Sequence, residues 1–230
     1  MAQTLLFASI AGGALLVGAA LGSFWTPPLP LRAAMLAFGA GALVVAVTFE
    51  LFEPAHEDVG LAQASAALAV GAALFIVVEV FLERRTGREA VGLALVAAVT
   101  LDGVPENFAL GVGLAEGGSV ALLAAIVASN LPEAFGGAAA IRAAGRSAGY
   151  AFSIWAATAA LLALGLLGGR LAAGVAPMSV LGLLAAFAAG AVLASIAGSV
   201  MPEAYAEGGP LVAFATTAGF LAAYALTTLD

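Results

Sequence analysis

The chain is 230 residues long, 63% hydrophobic and only 9% charged, with a net charge of −7 and neither lysine nor cysteine. Soluble domains average about 25% charged residues, so this composition is that of an integral membrane protein. It excludes disulfides, thiolate metal ligands and a basic nucleic-acid surface, and a single histidine, His56, excludes a His-rich metal cluster.

No stretch between the apolar runs is long enough to fold alone, which predicts one all-α polytopic domain over residues 1–230. A hydrocarbon core about 30 Å thick needs about 20 apolar helical residues. Eight spans are expected, at about 4–22, 33–53, 60–82, 89–113, 118–141, 147–168, 178–202 and 209–228. The first run has no basic residue before Leu5 and is long enough to stay as a span rather than be cleaved as a signal peptide. Arg32 falls in the first loop. The second span ends on Glu50 and Glu53, which read either as an entrance site or as interfacial carboxylates. The second loop adds His56, Glu57 and Asp58, a cation-gathering mouth or simply a solvated loop. Glu79, near the end of the third span, is expected to snorkel to water or to pair with Arg84 or Arg85. Arg84, Arg85 and Arg88 lie in the third loop, Arg142 and Arg146 in the fifth, and only Arg170 falls on the other side. The positive-inside rule then makes the odd loops cytoplasmic and puts both termini outside, in a plasma (inner) membrane. Abundant Ala and Gly suit close helix packing within lipid.

Spans four and five carry one motif twice. Asp102-Gly103-Val104-Pro105-Glu106-Asn107-Phe108 and Ser129-Asn130-Leu131-Pro132-Glu133-Ala134-Phe135 align without a gap. A carboxylate at the bilayer centre costs roughly 2.5 kcal/mol or more. Residues four apart share a helix face, which stacks Asp102 on Glu106 and Ser129 on Glu133, with Asn130 three residues before Glu133. All five side chains offer oxygen. Each proline removes a backbone donor and is expected to break its helix, freeing the carbonyls of Leu101 and Ala128. No arginine falls within these spans, so either a cation offsets the carboxylates or some of them stay protonated in a hydrogen-bonded structural cluster. Ser199-Val200-Met201-Pro202-Glu203-Ala204-Tyr205 is a weaker third copy at the end of span seven. Its Glu203 is an exit-side ligand or a helix-end charge.

With these motifs the chain resembles the ZIP family of divalent-metal transporters over essentially its whole length. The resemblance implies two interlocked three-helix repeats around central spans four and five (a 3+2+3 arrangement with inverted repeats), a homodimer and an elevator-like movement. It implies that Asp102 and Ser129 take positions where histidine is usual, that Glu106 and Glu133 are the acidic ligands, and that Asn130 fills a common Asn, Asp or Glu position. Gly103 stands where many members have Asn, and span six has no acidic residue, so one metal is expected rather than a binuclear centre. The third loop lacks a His-rich insert.

Carboxylate, amide and hydroxyl ligands suit harder ions than imidazole does, which favours Mn²⁺ or Fe²⁺. Carboxylates also bind Zn²⁺, which stays among the cargoes considered. The sequence thus predicts inward transport of a divalent cation as substrate, with no resident cofactor. No GxxxxGK[ST] motif is present to bind ATP. An intramembrane enzyme would need a nucleophile with its base or a His-bearing metal site, so no enzyme is expected. A metal-sensing or structural membrane protein that binds the ion without transporting it is the competing reading.

Overall fold

A computed structural model describes residues 1–85, 91–115 and 117–229, the side chains of 83–85, 91–95 and 98 excepted. Among the described residues the chain is helical throughout, with no strand. The helices are α1 (Ala2–Phe24), α2 (Leu29–Val45), α3 (Glu53–Val59), α4 (Leu61–Arg85), α5 (Val91–Gly113), α6 (Val120–Ala143), α7 (Ala148–Ala172), α8 (Met178–Ser195), α9 (Met201–Gly208) and α10 (Val212–Thr227). A π-helical segment, Ala46–Phe52, joins α2 to α3, and another, Ile196–Val200, joins α8 to α9. Among the described residues six segments are long and apolar enough to cross a membrane: Ala2–Phe24, Leu29–Val59, Leu61–Leu82, Val120–Ala143, Ala148–Ala172 and Met178–Thr227. Many large apolar side chains point outward, including Leu5, Leu6, Val77, Leu164 and Phe214, as a lipid-facing surface requires.

Two sequence expectations change. The acidic stretch after Glu50 is not a loop. It forms α3, which continues from α2 through the π-helical segment, so that Leu29–Val59 is one helical span. Gly60, at φ +82°, then turns the chain into α4, and Gly209, at φ +64°, does the same between α9 and α10. Nor do the prolines break the central helices. Pro105 and Pro132 lie inside continuous α5 and α6. Neighbouring helices hold the backbone on either side of each missing donor, which is how membrane helices tolerate proline. The carbonyl of Ala128 faces Gly39 of α2, where a Cβ would come within 2.7 Å of its oxygen. That carbonyl therefore lies against the backbone of α2.

The packing repeats itself. α1 lies on α6 as α7 lies on α5, α2 on α10 as α8 on α4, and α2 on α6 as α8 on α5. Glycines set these approaches in matched pairs. Gly22 meets the Phe135 carbonyl and Gly169 the Phe108 carbonyl, while Gly41 meets that of Thr216 and Gly190 that of Leu68. Phe108 and Phe135 are the last residues of the two motif copies. The helices carrying the duplicated motif therefore have matching packing partners.

Candidate cation site

A cavity of about 40 Å³ lies among α2, α5, α6 and the α8–α9 rod, lined by Asp102, Glu133, Ser195, Ser199, Glu203 and Arg32 among others. That volume holds one or a few waters, or a cation with part of its shell. Asp102 comes from the middle of α5 and Glu133 from the middle of α6, so the structure brings one carboxylate of each motif copy to a single space. The Ser195 hydroxyl donates to Asp102. Glu133 lies within electrostatic reach of Asp102, Glu106 and Glu203.

Glu106 does not line this cavity. It is 4% exposed, one helical turn beyond Asp102, and its Oε1 has no hydrogen-bond partner among the described residues. Farther along the same face of α5, Ala109 and Gly113 line a second cavity of about 280 Å³ with Glu50, Pro54 and Asp58. Asp102, Glu106, Ala109 and Gly113 follow helical spacing, so Glu106 sits between two cavities whose α5 walls, at Asp102 and Ala109, are separated by roughly 10 Å of rise. Asn130 is 2% exposed with its Nδ2 unpartnered. Asn107, which the sequence reading passed over, is 1% exposed; its Nδ2 donates to the Gly103 carbonyl at 2.9 Å and its Oδ1 is unpartnered. Buried polar atoms without partners are uncommon in native proteins. Here three of them belong to the duplicated motif. Ser129 is buried and donates to the Ile126 carbonyl at 3.1 Å.

Of the residues proposed for the ends of the path, Glu50 lines the second cavity, whereas Glu53 is exposed and lines neither. Glu203 lines the first cavity and is ion-paired with Arg32. Glu79, half-buried, accepts a hydrogen bond from the Ser199 hydroxyl. The side chains of Arg84 and Arg85, and Arg88 entirely, lie outside the described residues.

Arg32 is the largest correction. It lies in the first turn of α2 rather than in a loop, and it reaches the cavity that seemed to have no cation. It pairs with Glu203 and Glu207 of α9. On the α8–α9 rod, Ser195, Ser199, Glu203 and Glu207 recur every four residues. They form one polar stripe from Asp102 to Arg32. That spacing is visible in the sequence and was the signal that could have found it. Among the described residues no three His, Cys, Asp or Glu side chains converge tightly enough to hold a metal. Any cation in the first cavity must draw on the Ser hydroxyls or water as well as on Asp102 and Glu133. No protein-family model matches this chain, and no curated protein is detectably similar to it in sequence.

Proposed function

We propose that this protein is a ZIP-like transporter that carries a divalent cation, Mn²⁺ or Fe²⁺ before Zn²⁺, past the carboxylates of α5 and α6. The observation that carries the reading is the placement of Glu106. It is a buried, incompletely bonded carboxylate on one continuous helix face, between a cavity holding Asp102 and Glu133 and a second cavity holding Glu50 and Asp58. Carboxylates with no use are rare at such depth. The matched packing of α1, α2 and α4 with α7, α8 and α10 supports eight crossings in a 3+2+3 arrangement with inverted repeats. Arg32 lines the first cavity, and Arg142 and Arg146 lie at and just beyond the C-terminal end of α6, past the cavity residues Glu133 and Gly137, which supports that end as cytoplasmic and the Glu50–Asp58 cavity as the outer mouth. Asp102 and Glu133 are the ligands in this scheme, with Glu106 taking the ion between the cavities and Ser129 and Asn130 assisting. Oxygen from hydroxyl groups and water completes the coordination that hard ions need.

Uptake of Mn²⁺, Fe²⁺ and Zn²⁺ into proteoliposomes tests this. Saturable uptake in which Mn²⁺ or Fe²⁺ outcompetes Zn²⁺ is expected. Strong preference for Zn²⁺ would overturn the ranking built on oxygen ligands. The absence of three converging acidic or imidazole groups favours a second reading, a membrane protein that senses or holds a metal without moving it. Folded protein that binds Mn²⁺ and transports no ion would establish that one.

A further inference from the structure

Arg32 is built in as firmly as any side chain near the cavity. It leaves the first turn of α2 and lies across Gly136, where a Cβ would come within 2.9 Å of its Nη1 and 3.0 Å of its Cδ. Its Nε donates to Glu207 Oε2 at 2.8 Å, and its terminal nitrogen pairs with both Glu203 and Glu207. The side chains of Arg32 and Glu207 are only 16% and 15% exposed. A planar guanidinium held by two carboxylates is a strong, directional clasp. It grips the last two members of the stripe Ser195, Ser199, Glu203, Glu207, and the cavity runs along the first three, from Asp102 at one end to Arg32 itself at the other. Whatever travels along that stripe meets the guanidinium, and a cation meets it as a like charge at short range.

We propose that Arg32 is a tethered gate: clasped by Glu203 and Glu207 it closes the mouth of the Asp102–Glu133 cavity, and its release opens the cavity to water. Gly136 is the seat that lets the arm lie flat against α6. Only the gate's use in transport rests on the function proposed above; the closure itself does not.

The absence of cysteine gives a direct test. Val99→Cys places one thiol on the α5 wall of the cavity. Its modification rate is read in detergent, without metal, with a cationic and an anionic methanethiosulfonate reagent. Adding Arg32→Gln or Glu207→Gln is expected to raise both rates about tenfold or more. Arg32→Lys, which keeps the charge but loses the fork, should fall between. Unchanged rates in folded protein, shown by gel filtration and near-ultraviolet circular dichroism, would overturn the gate. So would a rise with the cationic reagent matched by a fall with the anionic one, since that is a change of local potential alone. Glu207→Gln keeps the test decisive should Arg32→Gln fail to fold. A gated cavity in a protein that carries no ion would retain this inference while refuting transport.

Discussion

If the proposed transport holds, Glu106→Gln and Glu133→Gln should each reduce metal uptake by about 100-fold or more, because loss of a direct ligand costs no less than the 10–100-fold typical of groups that merely orient one. Glutamine keeps the volume and removes the charge. In metal-free protein it also removes a buried carboxylate that lies within reach of Asp102 and, for Glu133, of Glu203 as well. Stability without metal should therefore hold or rise, since isolated buried charge is costly. A bound ion stabilises the folded state by RT ln(1 + [L]/Kd), so Mn²⁺ should raise the thermal midpoint of the parent protein and not of either variant. Loss of uptake with retained stability and a lost Mn²⁺ shift is the expected signature. Parent-level uptake in both variants would remove these residues from the path.

Gly169→Ala has a large expected effect on folding. A Cβ at Gly169 would overlap the Phe108 carbonyl oxygen and come within 2.8 Å of its carbon, both backbone atoms of α5. Backbone cannot rotate away as a side chain can, so α5 and α7 must separate. Overpacking of this kind costs about 1–3 kcal/mol or more. The displaced helix carries Asp102 and Glu106, so uptake should fall with stability. Gly13 and Gly149 are also helical, but a Cβ at either meets nothing within 4 Å. Alanine there should leave stability unchanged or raise it, since glycine is the poorer helix former by about 1 kcal/mol. Thermal unfolding of the three variants in one detergent checks this. Equal midpoints would show that the helix–helix approach is looser than described.

The long apolar runs made the helical membrane class legible from composition alone, because lipid leaves a backbone few alternatives. The pairing of the two motifs was also legible, since duplicated chemistry at one depth follows from simple helical spacing. Arg32 was not. It is 70 residues before Asp102 and 171 before Glu203, and an arginine just after Pro27, Pro28 and Pro30 reads as an orienting loop charge. Only the packing of α2 against α9 reveals its partners. Glu79 misled for a related reason. Arg84 and Arg85 lie five and six residues on, while its hydrogen-bond partner in space, Ser199, is 120 residues away. The helices through Pro105 and Pro132 show the opposite failure, a local rule overridden by neighbours that fix the backbone.

The π-helical segment at Ile196–Val200 has its own consequence for the stripe that ends at Arg32. An α-helix advances about 100° per residue, so residues spaced by four drift about 40° at each step and about 120° over three steps. In a uniform α-helix Ser195 and Glu207 would face different directions. A π stretch takes more residues for each turn and unwinds much of that drift. It works like one added tooth in a gear, bringing the end of a long rod back into register with its start. Deleting a single residue between Ile196 and Val200 would turn Glu203 and Glu207 away from Arg32 while leaving Ser195 on Asp102. The chain would then keep its fold and its buried acids but lose the line that connects them to the surface.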